Sequence, residues 1–322
     1  MEQQRGAIPS SEARGELSLE LVRATEAAAL ACARFLGKGD PDRILEAASD
    51  AMRRALEASG LSGTVVLSPR HQTYFQRGAV IAGGGRKVDF GVFPIEGASQ
   101  VARGHINAVS VLVAVEPGGF ARLPEIVQIE RIVSSSSARG AIDLDDSVAD
   151  NLRRIAFARD MRVQDMTVAI LERPRHQELI AEVASAGARI RQLEEGDFAS
   201  AVMAALPETG IDAALGLGDP QAALIAACAV RCLGGEMKAR LRPRSPEETA
   251  LIGDLVNKAF ALDELAPAGE VGVAVTGVTG GPLLPGVSLA GGYAETQSLV
   301  MSSRFATVRR ITTRHHVVGE PS

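Results

Sequence analysis

The chain contains no tryptophan, and aromatic residues make up only 3% of its 322 residues. Hydrophobic residues nevertheless account for 46% of the sequence. The core is therefore expected to consist mainly of Ala, Val, Leu and Ile. This amount of apolar sequence is sufficient for one large core or for two fused lobes.

Cysteine is also scarce, since the chain has only Cys32, Cys228 and Cys232. An odd and sparse set argues against a disulfide framework and is typical of a reducing compartment. Cys228 and Cys232 lie one helical turn apart. We interpret them as small buried side chains rather than as a metal-binding pair.

The sequence lacks two further features that would indicate particular partners. No apolar run is long enough to span a bilayer, and the N-terminus has no apolar core of the signal-peptide type. The net charge is -5, which gives no sign of a nucleic-acid-binding surface. We therefore predict a cytoplasmic protein with no membrane and no nucleic-acid partner.

The order of predicted elements indicates a layered α/β fold. Between residues 167 and 233, strands and helices alternate regularly, which predicts a mostly parallel sheet with helices on its faces. A further helix is predicted over residues 245–262. We divide the chain into a disordered tail (1–15), a domain (16–316) and a short tail (317–322). The domain is expected to have an N-terminal lobe of about 16–160 and a C-terminal α/β lobe of about 161–316.

The most informative segment is residues 87–98, which reads as a buried strand that ends in a tight turn. Its apolar, β-forming residues predict the strand, and Pro94 cannot continue the hydrogen-bond ladder. Glu96 and Gly97 then lie in the turn, where glycine permits a close approach of the backbone to a ligand.

The end of this segment, Phe-Pro-Ile-Glu-Gly-Ala, resembles the Asp-Pro-Ile-Glu-Gly-Thr turn of metal-dependent sugar phosphatases. The flanking sequence narrows the resemblance to the class II (GlpX-type) fructose-1,6-bisphosphatases. Further segments resemble the same family in the same order: residues 23–31 with 37–40, 149–153, 173–176, and 275–280 with 307–311. The resemblance implies the αβαβα sandwich of the fructose-bisphosphatase and inositol monophosphatase type, a role in carbohydrate metabolism (gluconeogenesis), and a homo-oligomer.

The resemblance also implies a reaction, the hydrolysis of a phosphate ester assisted by Mg²⁺ or Mn²⁺. These ions prefer several carboxylate oxygens as ligands. The ligand positions of the family fall at Leu45, Pro69, Phe93, Glu96 and Ala222, the last of which becomes Gln221 after a shift of one residue. Only Glu96 still carries a carboxylate, so we predict that the metal site is degenerate.

The segments that resemble the family's substrate-binding motifs match the family pattern more fully than the metal-ligand positions do. Residues 173–175, Arg-Pro-Arg, resemble the family's Lys-Pro-Arg, and residues 195–197, Glu-Gly-Asp, resemble its Asp-Gly-Asp. The residues expected to bind substrate by resemblance are Glu96, Gly97, Arg173, Pro174, Arg175, Glu195, Gly196 and Asp197. The expected ligand is a sugar phosphate such as fructose 1,6-bisphosphate, because arginine is a good partner for phosphate. Yet the family's substrate-contacting Tyr falls at Gln128, and an ordinary surface Arg pair explains Arg173 and Arg175 equally well.

Three functional hypotheses remain open from the sequence. The preferred one is a catalytically impaired family member that binds a sugar phosphate or pairs with an active paralogue. The second is an active phosphatase that uses Mg²⁺ or Mn²⁺ with ligands rebuilt around Glu96 and Asp89. The third is an interaction protein whose pocket is empty. A basic C-terminal patch, Arg309, Arg310, Arg314, His315 and His316, is either phosphate-facing, a subunit contact or a solvated tail.

Overall fold

A computed structural model describes residues 16–68, 74–124, 128–266 and 268–316 of the chain. The predicted tails and Pro69 lie outside these described residues. The α-helices are α1 (Leu17–Ala33), α2 (Pro41–Glu57), α3 (Ala98–Arg103), α4 (Val148–Ala158), α5 (Gln177–Ser185), α6 (Asp197–Ala205), α7 (Pro220–Cys232), α8 (Pro246–Ile252) and α9 (Leu262–Leu265). The strands of the first half are β1 (Leu61–Leu67), β2 (Val80–Ile81), β3 (Arg86–Glu96), β4 (Val109–Val115), β5 (Gln128–Ser134), β6 (Thr167–Leu171) and β7 (Arg189–Leu193). Those of the second half are β8 (Ala213–Gly218), β9 (Glu236–Arg242), β10 (Ala259–Ala261), β11 (Val271–Gly277), β12 (Ser288–Ala290), β13 (Tyr293–Ser302) and β14 (Thr307–His316).

The larger sheet has eight strands, and its main path runs β12-β13-β11-β4-β3-β1-β2. Strand β14 pairs with β13 on the side that β11 and β12 leave open. Only β1 and β3 are parallel, and every other pair of this sheet is antiparallel. The sheet thus combines the first four strands with the last four.

The smaller sheet has six strands in the order β10-β9-β5-β8-β6-β7. Strands β6, β7 and β8 run parallel, while β5, β9 and β10 are added by antiparallel pairing. The prediction of a mostly parallel sheet is therefore wrong. The strand–helix alternation that suggested it holds only from β6 to β8, because α7 is followed by a strand that pairs antiparallel to β5.

Three buried clusters define the layers. One cluster packs α1 and α2 on the outer face of the larger sheet, and a second packs α4 and α5 on the outer face of the smaller sheet. The third and largest lies between the sheets and contains α6 and α7. The order helix, sheet, helix, sheet, helix confirms the predicted layered αβαβα sandwich.

The bounds of several elements differ from the sequence prediction for local reasons. The helix predicted over 245–262 ends at Ile252, because Gly253 has a φ of +50° and breaks the helical run. A short strand and helix α9 follow it. Helix α3 and strand β9 were not predicted. The predicted lobe boundary near residue 160 stays a prediction, although each sheet takes its strands from a different set of segments.

Among the described residues, no helix is both long and apolar enough to cross a bilayer.

Gly63 shows how tightly the larger sheet is packed, and it generates a stability prediction. A Cβ built at Gly63 would lie 1.7 Å from the backbone oxygen of Val88 on the neighbouring strand, whereas one at the exposed Gly84 meets nothing within 4 Å. We expect Gly63→Ala to lower the free energy of unfolding by about 1–3 kcal/mol through overpacking. Gly84→Ala should stay within about 0.5 kcal/mol of wild type in the same urea titration. Equal effects of the two substitutions would contradict the register of β1 on β3.

Candidate functional site

Glu96 occupies the last position of β3, where the chain leaves the larger sheet. The pairing of β3 with β4 shifts between Phe93 and Glu96, which turns the end of the strand. Gly97 follows with a φ of +93°, a left-handed conformation that favours glycine. A Cβ there would lie 3.1 Å from the Cβ of Ala108. The predicted tight turn is present, and it points Glu96 toward the middle layer.

The carboxylate of Glu96 caps helix α6. Its Oε1 accepts a hydrogen bond from the backbone N–H of Phe198 at 2.8 Å, and its Oε2 accepts one from Ala199 at 3.0 Å. The residue before α6, Gly196, has no side chain to perform this role and has a φ of +115°. The first N–H groups of a helix have no partner within the helix and favour negative charge. Glu96, from the larger sheet, supplies the hydrogen-bond acceptors for the start of α6 in the middle layer, and its ionised form also places a negative charge there.

Asp197 and Asp219 continue this arrangement. Asp197 Oδ1 accepts a hydrogen bond from Arg131 at 2.8 Å, and its Oδ2 accepts one from the backbone N–H of Asp219 at 3.3 Å. Asp219 Oδ1 in turn accepts from the N–H of Gln221 at 2.8 Å and caps α7. Glu96, Asp197 and Asp219, called here the cap cluster, therefore form a network whose hydrogen bonds go to protein groups.

Arg131 is the cation of this network. Its side chain is only 4% exposed, and Nη2 donates to the backbone oxygen and to Oδ1 of Asp197 and to Ser200 Oγ. A buried arginine of this kind must be paired, because removing its partner would leave an uncompensated charge. Arg131 ties β5 to α6, so it acts within the scaffold.

Burial raises the pKa of Glu96 to about 7. The loss of solvation is the largest cause, and the charge of Asp197 adds to it. The hydrogen bonds from Phe198 and Ala199 and the charge of Arg131 act in the opposite direction. The surrounding protein therefore favours the neutral form of this carboxyl group.

The positions predicted to have lost their metal ligands are apolar and packed. Phe93 and Ala222 are buried in the central cluster between the sheets, and Leu45 packs against the outer cluster under α2. Gln221 is 2% exposed, and its Oε1 has no hydrogen-bond partner among the described residues. Within that part of the chain, no group of three or more His, Cys, Asp or Glu side chains is arranged to hold a metal ion. At the described ligand positions of the family, only Glu96 offers a carboxylate, whereas Mg²⁺ and Mn²⁺ prefer several oxygen ligands.

Asp89 does not lie with Glu96. Its Oδ2 accepts a hydrogen bond from the backbone N–H of Gly118 at 2.7 Å, at the opposite end of β3. Glu96 lies seven positions after Asp89 along the strand, which corresponds to ~23 Å. In this structure the two carboxylates do not meet, and the hypothesis of a metal site rebuilt around Glu96 and Asp89 stays a prediction.

Arg173 and Arg175 diverge, although only Pro174 separates them. Arg175 donates to the backbone oxygen of Leu217 at 2.9 Å and lines a cavity of about 380 Å³ on the outer face of the smaller sheet. Arg173 donates to the backbone oxygen of Glu172 at 2.8 Å and lines a separate, open depression that also contains Glu195. The predicted substrate residues are thus distributed over two cavities and the cap cluster.

His176 explains why the two arginines diverge. The His176 side chain is buried, with Nδ1 2.7 Å from the backbone oxygen of Leu171 and Nε2 accepting from the N–H of Leu217 at 2.9 Å. Burial is the main reason that its pKa is lowered, so the neutral ring joins β6 to β8. The ring also occupies the space beside Gly216, where an added Cβ would lie 3.1 Å from it. His176 also precedes helix α5 directly, and no spacing in the sequence indicated that its ring contacts Leu171 and Leu217.

The Arg175 cavity has a charged rim and an apolar floor. Arg242 and Arg244 stand at the rim, where Arg242 pairs with Glu130 at 2.6 Å and Arg244 with Glu248 at 2.6 Å. Gln128, the position of the family's Tyr, lines the same cavity. The floor is formed by Ile132, Leu144, Leu179 and Leu215. In the described part of the chain, Arg175 forms no ion pair, which leaves its charge available to an anionic ligand.

Comparison with known proteins gives a consistent result. Residues 15–315 match the family model described as bacterial fructose-1,6-bisphosphatase, glpX-encoded. The chain is 33% identical over 324 residues to fructose-1,6-bisphosphatase 1 class 2 of Escherichia coli (strain K12), covering 94% of this chain and 96% of that protein. Fructose-1,6-bisphosphatase class 2 of Shigella flexneri matches with the same identity and coverage.

The capping role of Glu96 can be tested by its effect on stability. Glu96→Ala removes the acceptor for two N–H groups at the start of α6, and we expect a loss of about 1–3 kcal/mol in the free energy of unfolding. Glu96→Gln keeps one acceptor oxygen and is neutral, so it should be more stable than Glu96→Ala. Guanidinium titrations at pH 8 measure both. A Glu96→Ala variant as stable as wild type would show that α6 does not depend on this cap.

The raised pKa of Glu96 predicts a pH dependence of stability. The folded state binds this proton more tightly than the unfolded chain, for which the ordinary pKa is 4.5. The resulting stabilisation is full below pH 4.5 and is lost as the pH rises to about 7. Relative to Glu96→Gln, the wild type should therefore lose up to about 3 kcal/mol over this range and then change little. A difference between the two proteins that does not vary with pH would contradict the shift.

Proposed function

Because the chain belongs to the class II fructose-1,6-bisphosphatase family, we propose that it is a member with lost or strongly reduced phosphatase activity. In this proposal it keeps the family fold and a pocket for a sugar phosphate. Its role is then to bind a metabolite or to pair with an active paralogue in carbohydrate metabolism. The free, buried state of Cys32, Cys228 and Cys232 supports a cytoplasmic location.

One observation carries the proposal: both carboxylate oxygens of Glu96 are engaged by the backbone of α6. Glu96 is the only carboxylate left at the positions that the family pattern gives to metal ligands. A divalent cation would have to displace these hydrogen bonds and would find apolar side chains at Phe93 and Ala222. A loss of Lewis-acid stabilisation of several kcal/mol corresponds to about a thousandfold or more in rate.

The charge around the turn supports the same conclusion. Helices α6 and α7 begin beside the turn, and helix N-termini are favourable positions for phosphate. Here Glu96 and Asp219 already occupy these two termini with carboxylates. Arg131, the nearby buried cation, is paired with Asp197. Asp197 and Asp219 would repel a phosphate dianion that approaches the cap cluster, so the cluster is an unfavourable position for a phosphate group.

The Arg175 cavity is the better position for a sugar phosphate. Arg175 is exposed and donates only to a backbone oxygen there, so its guanidinium can turn toward a phosphate. The depression beside Arg173 is less favourable, because its carboxylates, Glu172, Glu194 and Glu195, outnumber its two arginines. The Arg175 cavity also contains carboxylates, but as many arginines line it. The active alternative, in which Glu96 and Asp89 share one ion, requires two residues that lie at opposite ends of β3.

Loss of catalysis can be tested directly. We expect the purified protein to release no phosphate from fructose 1,6-bisphosphate above the rate of Glu96→Ala, with either Mn²⁺ or Mg²⁺. The Escherichia coli class 2 enzyme, assayed in parallel, serves as the positive control. The measurement is a continuous phosphate-release assay at high protein concentration.

The informative contrary result is turnover that disappears in Glu96→Ala and after chelation of the metal. This would mean that a working metal site has been rebuilt around Glu96, and the proposal of lost activity would fail. Turnover that survives the substitution and the chelator would be attributed to a contaminant.

Retained ligand binding gives a second, independent prediction. In calorimetry without metal, we expect Arg175→Ala to weaken the binding of fructose 1,6-bisphosphate about tenfold or more, because a charge-assisted hydrogen bond is lost. Arg173→Ala, a matched substitution two residues away, should change it less than about threefold. Equal losses would place the ligand elsewhere, and no binding by the wild type would favour an interaction protein with an empty pocket.

A further inference from the structure

The charged side chains that line the Arg175 cavity fall into two groups. Most are paired within the protein, namely Arg242 with Glu130, Arg244 with Glu248, and Asp146 with Arg154. Three others, Arg175, Glu178 and Glu182, form no ion pair in the part of the chain that the structure describes. One positive and two negative charges therefore remain available to a bound molecule.

Glu178 and Glu182 lie on the same side of helix α5. They are four residues apart, which is about one turn or ~6 Å along the helix axis, and both line the cavity together with Leu179. Neither carboxylate accepts a hydrogen bond from any described residue. Like charges at this spacing destabilise a helix. A cation held between the two carboxylates would relieve this repulsion.

Arg175 is directed to a different part of the cavity. It precedes α5 by two positions, and both its Nε and its Nη2 donate to the backbone oxygen of Leu217 at the end of β8. The guanidinium is thus turned toward the sheet, and Glu178 and Glu182 follow it by about one and two helical turns. The cavity has a positive end at β8 and a negative wall on α5.

The space between these charges is apolar. The floor consists of Ile132, Leu144, Leu179 and Leu215, and the cavity volume is about 380 Å³. Binding sites for small molecules are typically of this kind, with a mostly apolar lining and a few polar groups that fix the orientation of the ligand. A matching ligand has an anionic group, a compact body with an apolar face, and a cationic group.

We propose that the sugar phosphate bound in this cavity carries an amino group. Its phosphate lies at Arg175, and its protonated amine lies between Glu178 and Glu182. This inference rests on the proposed function, because it takes Arg175 as the partner of a sugar phosphate. A hexose 6-phosphate with an amino group at carbon 2 has its two charges at opposite ends of the ring. The C–H face of the ring then covers the apolar floor.

The unpaired charges also disfavour the other sugar phosphates. A neutral sugar would leave both α5 carboxylates without a partner. The second phosphate of a bisphosphate would bring a further negative charge toward Glu178 and Glu182, while Arg242 and Arg244 already have carboxylate partners. The cavity therefore suits an aminated monophosphate better than a bisphosphate.

Three ligands that differ only at carbon 2 test the inference. They are glucosamine 6-phosphate, glucose 6-phosphate and N-acetylglucosamine 6-phosphate, measured by calorimetry without metal at about pH 6.5, where the amine is mostly protonated. We expect glucosamine 6-phosphate to bind about tenfold more tightly than glucose 6-phosphate, because each partly exposed ion pair contributes a factor of up to about five. N-acetylglucosamine 6-phosphate keeps the nitrogen without its charge and should lose this advantage.

Matched variants locate the two charges of the ligand. The double substitution Glu178→Gln with Glu182→Gln keeps the size of both side chains, and it should reduce the preference for the amine to less than about twofold. Binding of glucose 6-phosphate should not weaken. Arg175→Ala should weaken both ligands by a similar factor and leave their ratio unchanged. Glu172→Gln is the control, because Glu172 is exposed, lies six positions before Glu178 and lines the separate depression.

The amino-sugar inference and the proposed function fail in different ways. Equal affinities for glucosamine 6-phosphate and glucose 6-phosphate would overturn the inference and leave the sugar-phosphate pocket in place. A preference for the amine that survives in the double variant, or that is lost in Glu172→Gln, would also overturn it, since the amine would then lie outside the Arg175 cavity. If none of these ligands nor fructose 1,6-bisphosphate binds, both proposals are wrong.

Discussion

The structure depends on a carboxylate that joins two layers. Glu96 ends a strand of the larger sheet and accepts hydrogen bonds from Phe198 and Ala199 at the start of α6. Because Gly196 cannot cap this helix, the acceptor must come from elsewhere in the fold. The turn at Gly97 then fixes how the chain enters α3. The contact that positions the middle layer is made by the residue that the family pattern would assign to a metal ion.

The residues around Glu96 are also engaged in packing and in hydrogen bonds within the protein. Phe93 and Ala222 belong to the central apolar cluster, so the positions where ligands would converge contribute to packing between the sheets. Asp197 and Asp219 direct their carboxylates to Arg131 and to backbone N–H groups. Burial of carboxylates without such partners would be costly. The site is stable as it stands because every member of the cap cluster has a protein donor.

Local signals predicted much of the fold. The start of α8 at Ser245-Pro246 and the apolar run of β3 are readable because caps and buried strands have short-range signatures. The end of α8 at Gly253 was missed, since the helical pattern continued past it.

The layered class and the turn at Glu96 were predicted, but the partners of Glu96 lie 102 and 103 residues away. Likewise, Asp89 and Phe93 share a strand face, yet only coordinates show that Asp89 bonds Gly118 at the far end. The periodicity of apolar residues indicates local elements and carries no information on contacts between residues distant in the sequence.

The cap on α6 has a consequence for how such a protein can evolve. Restoring a ligand at Phe93 alone would place a charge in the central core with no ion to neutralise it, and freeing Glu96 alone would expose the first turn of α6. Each single step toward a metal site would therefore pass through a less stable intermediate, because packing and hydrogen bonds already engage these positions. Acquiring such a site would require several substitutions at once.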